Sequence, residues 1–341
     1  MVAEAGFFAV ELLVVAFAGG AIGAALGGIA ALSLAGLTVV VGEVGNYLVG
    51  AAPGDPAATG LTALIGYGPA LGPHVAFAGG IAAAAYLGRR ERPESDFPYH
   101  TAKDIYRAIG VRPDALLAGG AFGVLGYWLA TLVRTIGAPV DPVMASVVLT
   151  GLIARVAFGY PVLGDLSDTL LDMSPYERGE IRTALEDSEA DADGPARPAV
   201  EPWATQQSGW QEQAILGLVV GLFAAYVAYL TETYYLAFGI SAASLGLLVV
   251  GARRVPITYH LALPASIAAL ALPGASAELA LFAGAVFGIL SGLVGELAGR
   301  VLYAHADTHL DPPAVAIVLT TLLIGLLTTV GVFEQGLIPA L

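Results

Sequence analysis

Apolar runs of bilayer-crossing length recur along this chain, and they leave it few folds to choose from. The first, Gly6 to Gly50, contains no basic residue. A helical crossing takes about 20 residues, so the run reads as two helices, at about residues 6–28 and 31–50. In lipid every backbone polar group must be paired internally, which leaves helices or a closed barrel. The runs do not alternate with the period of two that a barrel strand shows. Composition agrees: hydrophobic residues make up 57% and charged residues 12%, against roughly 45–50% and 25% in soluble domains. The fold class expected is an all-α polytopic membrane protein.

The remaining apolar runs extend the pattern. Helices are expected at about residues 74–87, 114–136 and 142–160, and after a polar segment at about 213–231, 234–251, 257–272, 277–301 and 313–333, ten in all. Residues 51–72 are rich in Gly and Pro and fit a re-entrant or a surface loop. Three regions follow: a five-helix membrane unit over 1–160, an acidic linker over 161–212, and a second five-helix unit over 213–341. Within the linker, Ser174-Pro175-Tyr176-Glu177 has the form of a capping box with proline at the first helical position. The run Glu186 to Pro202 is acidic with interspersed proline and reads as disordered.

The second unit echoes the first. Asp141-Pro142 is followed by Val148-Leu149-Thr150, and Asp311-Pro312 at the same spacing by Val318-Leu319-Thr320. His74 and Ile81 match His260 and Ile267, and Phe122-Gly123 matches Phe287-Gly288, in the same order. No match joins the first two helices of each unit. An odd number of helices per unit makes the second enter from the opposite side, which gives inverted-topology repeats. The positive-inside rule agrees. With the loop after the third helix cytoplasmic, Arg178, Arg182, Arg197, Arg253, Arg254 and Arg300 also fall inside, and only Arg134 falls outside. Both termini are then outside, and the linker 161–212 is cytoplasmic. The N-terminus carries no basic residue, so a cleaved signal peptide is not expected.

The net charge is −14, with Lys103 the single lysine. That balance offers nucleic acid no basic surface and is the composition a halophilic archaeon would give. With no cysteine there is no disulfide and no thiolate metal site. No phosphate-binding loop or nucleophile elbow occurs, and no enzyme activity is expected.

Ionisable groups within apolar helices need a reason, because lipid penalises them. Glu43 with Asn46 could bind Na⁺ or carry a proton, or be an interfacial acid near a helix end. His74 and His260, related by the repeat, could serve one cavity, but the topology puts them near opposite faces, where they would only cap helices. Glu296 and Arg300 form an i,i+4 pair at the end of a face lined by Gly284, Gly288 and Gly292. Gly19, Gly23 and Gly27 make a second bulk-free face. Arg155 could neutralise Glu43 or Glu296. Pro264 interrupts the hydrogen-bond ladder of its helix. His305, Asp307, His309 and Asp311 alternate, so an extended loop would turn all four to one side as metal ligands. The alternative for Asp311 is an N-cap with proline following, repeated at Asp141.

The stretch Asp307-Thr308-His309-Leu310-Asp311-Pro312-Pro313-Ala314, leading into an apolar helix, resembles a motif of the integral membrane subunits of the Na⁺-translocating methyl-tetrahydromethanopterin:coenzyme M methyltransferase. The resemblance implies an ion-translocating or complex-forming membrane subunit, with His309 and Asp311 at the matching positions. The sequence thus leads to two expectations. One is an ion-coupled transporter with its path between the repeats and Na⁺ or H⁺ as coupling ion. The other is a membrane subunit that anchors a soluble or membrane partner. Association with a second copy of the chain fits either.

Overall fold

The computed structural model describes residues 7–90, 97–164, 169–182, 197–272 and 274–334. Among these the fold is helical, with one isolated antiparallel bridge between Ile181 and Pro198. The helices are α1 (Val10–Leu26), α2 (Gly28–Leu48), α3 (Ala78–Arg90), α4 (Pro113–Thr135), α5 (Pro142–Ala157), the single turn α6 (Ser174–Glu177), α7 (Trp210–Thr231), α8 (Tyr235–Ser244), the turn α9 (Gly246–Val249), α10 (Tyr259–Leu270), α11 (Ala277–Ala298) and α12 (Pro312–Thr329). A π-turn over Pro73–Phe77 leads into α3, and another over Gly299–Tyr303 prolongs α11. Five helices are long and apolar enough to cross a membrane: α2, α4, α7, α11 with its extension, and α12. Large apolar side chains such as Val14, Leu37, Phe223, Phe282 and Leu326 stand exposed on the outside.

Boundaries follow local chemistry. The break between α1 and α2 is Gly27, whose φ of 88° a side-chain-bearing residue rarely adopts. There the amide of Ile29 turns to the carbonyl of Ile105, 3.1 Å away. α5 and α12 both begin with proline at the first helical position behind an aspartate cap.

Side chains without bulk set the packing. α1 runs antiparallel to α4, with Ala16 and Gly20 against Gly123, and Ala24 against Gly119. α7 runs antiparallel to α11 in the same way, with Gly217 against Gly288, Gly221 against Gly284, and Ala225 also against Gly284. Gly292 meets the carbonyl of Gln213. On its other side α1 uses Gly19 and Gly23 to admit the backbone of Ala70 and Ala76. The two glycine faces read from the sequence therefore both carry close helix contacts.

Two antiparallel pairs join the halves. In one, Ser33 of α2 donates to the carbonyl of Ala243, and Gly36 meets Ala242 of α8, while Gly239 meets Val39 and Val40. In the other, the start of α5 meets the middle of α12, and Gly151 within α5 faces Leu310 at the start of α12. Between these pairs lies an aromatic core in which Tyr67 contacts Tyr235 and Phe238 at ring separations of 5.1 and 5.2 Å. The Gly/Pro-rich segment 51–72 turns back along α2, with Thr62 against Gly42 and Gly66 against Val39.

The linker departs from expectation. Residues 186–196 of the acidic run lie outside the described residues. Its end is ordered by pairing: Val200 and Glu201 are buried, and Glu201 donates its amide to the carbonyl of Ala304. Helix α6 forms, but Ser174 is not its N-cap. Met173 takes that place, and the Ser174 hydroxyl donates to Asp172 instead.

Seams of this kind tolerate no added methyl. A Cβ on Gly23 would collide with the backbone of Ala76, and one on Gly288 with that of Gly217. Gly23→Ala and Gly288→Ala should each destabilise the purified protein by about 1–3 kcal/mol, read as a lowered thermal midpoint. Gly110→Ala, where a Cβ meets nothing within 4 Å, controls for the mere loss of glycine, though its φ of 71° carries some strain.

Candidate functional site

The centre of the molecule is built on two helix starts. Asp141 caps α5, its Oδ1 accepting from the amide of Met144 at 2.7 Å. Asp311 caps α12, its Oδ2 accepting from Ala314 at 2.8 Å. Both residues are buried. A helix start carries free N–H groups and a partial positive charge, which favour a carboxylate there. Each carboxylate also takes a tyrosine hydroxyl. Tyr67 donates to Asp141 Oδ2 at 2.9 Å, and Tyr259 to Asp311 Oδ2 at 2.6 Å. The amide of Asp141 donates to Thr321 Oγ1 of α12 at 3.0 Å, so the second half anchors the first half's cap. His309 Nε2 lies 3.2 Å from Asp311 Oδ1. Tyr67 had no sequence signal: it stands seven residues before His74, whereas Tyr259 immediately precedes His260.

The two related histidines are both buried. His74 presents its carbonyl to Gly126 of α4. His260 presents its carbonyl to α11, where Ser291 Oγ donates to it at 2.5 Å. Gly126 and Ser291 each stand four residues beyond the matched Phe122 and Phe287.

Glu43 is buried. Its Oε1 accepts from the amide of Gly54 at 3.1 Å and its Oε2 from the hydroxyl of Thr233 at 2.5 Å, which ties α2 to the other half. Asn46, one turn on, accepts from the Thr59 hydroxyl at 2.9 Å. A cleft of about 450 Å³ opens beside this cluster, lined among others by Pro53, Tyr229, Glu232 and Tyr234. Glu296 pairs with Arg300 at 2.8 Å as the spacing predicts, and Arg300 also lies over the Trp210 ring.

Arg155 reaches neither Glu43 nor Glu296. Its guanidinium is spent on the loop before α12, donating to Thr308 Oγ1 at 2.7 Å, to the Thr308 carbonyl at 3.0 Å and to the Leu302 carbonyl at 2.9 Å. That loop does not turn His305, Asp307, His309 and Asp311 to one side. His305 lies against the carbonyl of Leu170, Asp307 pairs with Arg182 and Arg197 at 3.1 Å, and His309 pairs with Asp311. Among the described residues no group of three or more His, Cys, Asp or Glu is placed to hold a metal ion. Arginine pairing competes for Asp307, and the turns at Ala304 and Ala306 break the extended geometry that alternation requires.

Lys103, from the sequence only one of several basic loop residues, is fully buried. Its Nζ donates to Glu201 at 2.5 Å and to the Tyr303 carbonyl at 2.8 Å. Burial pushes the ammonium down to about 8, with Glu201 opposing that shift. Burial alone would raise the Asp307 carboxyl, but Arg197, His100, Arg182 and Lys103 together hold it below its ordinary value. These groups lock the connecting segment onto the loop before α12.

Fold and site together define an all-helical protein with five helices of membrane-crossing length and apolarity and a pair of buried, aspartate-capped helix starts at its centre. The chain belongs to DUF7973, a family of unknown function whose model matches residues 2–341. No curated protein and no solved structure matches it.

Removing one partner of a buried pair strands the other charge, at a cost of about 3–5 kcal/mol. Glu201→Leu, which leaves the buried Lys103 without a counter-charge, should therefore lower stability by that order, and Lys103→Met, after which Glu201 keeps Arg197, by less, as read by thermal unfolding. Asp307 has a lowered carboxyl in the fold, so its stabilising contribution is full above the unfolded range of about 4 and is lost as the pH falls. Asp307→Asn should remove that part of the acid sensitivity.

Proposed function

We propose that the protein is a multi-pass membrane transporter or ion-translocating protein, built from two inverted five-helix repeats with its path between them. The observation that carries this reading is the antiparallel α5–α12 pair, in which each helix starts inside the protein at a buried aspartate. Discontinuous helices whose ends stop at mid-depth, with polar groups at the break, are how inverted-repeat transporters build a site in a bilayer. Structural correspondence between the halves supports the repeat: α1 packs on α4 as α7 packs on α11, through small residues in the same order. The pairs α2–α8 and α5–α12 are the contacts a two-fold axis in the membrane plane would generate.

On this reading Asp141 and Asp311 sit on the path, with Tyr67, Tyr259 and the two histidines beside them. Glu43, Asn46 and Thr233 join the repeats where the cleft lined by Glu232 and Tyr234 gives access. Glu296 lies toward the cytoplasmic end. Na⁺ or H⁺ is the coupling ion, and the exposed apolar faces meet lipid or a second copy of the chain.

A second reading, a membrane subunit that anchors a partner, is favoured by the Asp307–Ala314 resemblance and by the platform of Lys103, Glu201, Arg197, Asp307 and Arg182 on the loop side. Reproducible co-purification of one soluble partner, together with impermeable proteoliposomes, would select it.

Asparagine caps a helix as well as aspartate does, so Asp141→Asn and Asp311→Asn remove charge while keeping the cap. In proteoliposomes under Na⁺ or pH gradients, each should cut ion flux by about tenfold or more, the loss of about 1.4 kcal/mol or more of stabilisation. Glu43→Gln should abolish ion dependence. Wild-type flux in both aspartate variants would refute the path drawn here.

A further inference from the structure

The space between α10, α11 and the start of α7 gathers buried polar atoms that have no partner. His260 is wholly buried, yet neither ring nitrogen is hydrogen-bonded. Trp203 Nε1, Glu296 Oε2 and Gln213 Oε1 are buried and unpartnered as well. They belong to one neighbourhood. The Trp203 and His260 rings meet edge to face at 5.7 Å. His260 Nε2 faces Gly295, at 3.2 Å from where a Cβ would stand, and Trp203 Nε1 faces Gly299 one turn further, at 3.0 Å. Glu296 lies between those two glycines in sequence, and Gln213 packs at Gly292, one turn before it.

Buried polar groups are seldom left unsatisfied, and several unpaired atoms converging on one place mark a hydration site. The donor set decides what occupies it. The Trp203 indole only donates, the Glu296 and Gln213 oxygens only accept, and a neutral imidazole does one of each. An anion would be repelled by Glu296, and a metal ion would find two ligating side chains where it needs three or four. Water, donating and accepting, fits all of them.

We propose that His260 and Glu296 share a hydrated proton-binding site, with buried water joining Glu296 Oε2, His260, Trp203 Nε1 and Gln213 Oε1. A proton arriving on that water leaves oxygen and bonds to the free imidazole nitrogen, and the carboxylate of Glu296, shared with Arg300, offsets part of the added charge. Release reverses the same bonds. The other titratable or charged groups around His260 are Tyr259 on its own helix, Arg300 through Glu296, and Asp311 at the start of α12. α7 contributes the neutral Gln213. The site is confined to one half: Thr131, nine residues after Phe122, stands where Glu296 stands nine residues after Phe287. Its hydroxyl is taken by the carbonyl of Tyr127. As a coupling site this rests on the transport reading above and makes H⁺ the ion.

The chain has three tryptophans, so the indole N–H of Trp203 is assignable by Trp203→Phe in spectra of ¹⁵N-labelled protein in detergent or nanodiscs. A cross-peak between that N–H and water is expected, and its absence means a dry cluster and overturns the proposal. The His260 ring nitrogens, assigned by His260→Asn, should titrate with a midpoint that falls by about one pH unit or more in Glu296→Gln, the loss of one nearby opposite charge. An unmoved midpoint also overturns it. If Glu296→Gln does not fold, Gly295→Ala serves: its methyl, 3.2 Å from His260 Nε2, should weaken or abolish the water cross-peak, and an unchanged cross-peak counts against the site. Wild-type proteoliposomes that pass no protons, while both spectroscopic results hold, would confirm the site and remove the transport reading alone.

Discussion

Two helix N-termini buried in one core set the conditions for the rest of this structure. A helix start has free N–H groups that must find acceptors, and here water is not at hand to supply them. Proline at the first position deletes one donor, and aspartate satisfies another through its side chain. That solution creates a second demand, because a buried carboxylate needs further donors of its own. Tyr67 and Tyr259 meet it, and their rings then have to be packed. Hence the aromatic core of Tyr67, Tyr235, Phe238 and Tyr259 lies where the two halves join. The cap, the hydroxyl and the aromatic core are one connected requirement.

Close packing makes that centre possible. Helices this apolar would gain little from hydrophobic burial in lipid, and small residues let them fit backbone to backbone. Ala16, Gly20 and Ala24 on α1 do this against α4, as Gly217, Gly221 and Ala225 do on α7 against α11. The correspondence is one of small size throughout, with two of the three positions identical and alanine standing for glycine at the third. Ser291 donating to the His260 carbonyl, where Gly126 closes on the His74 carbonyl, is a similar exchange of a hydrogen bond for a direct contact.

Helix positions were largely legible because hydropathy and capping are local. Asp141-Pro142 and Asp311-Pro312 mark the starts of α5 and α12 to within a residue. The likeness of the α1–α4 seam to the α7–α11 seam was hidden, since a small-residue seam can be written in several ways. Partners that meet across long separations were also hidden. Nothing near Lys103 in sequence points to Glu201, or near Glu43 to Thr233. The alternating His305 to Asp311 stretch misled for the same reason. Spacing reports which side chains an extended strand would align, but Arg182 and Arg197, distant in sequence, draw Asp307 elsewhere.

The halves share a framework and differ in their polar groups. Each keeps a capping aspartate, a tyrosine on it and a buried histidine. Only the second has an imidazole, His309, beside its aspartate; Pro139 stands at that place before Asp141. Among the described residues only the second has an acid, Glu296, near its histidine, and only its loop is held by Arg155, Arg182 and Arg197. Packing acts on both halves alike, and both carry small-residue seams and proline-backed aspartate caps. Polar groups that serve chemistry need not be matched in this way. On the transport reading proposed above, the polar residues confined to the second half are the ones that carry its function.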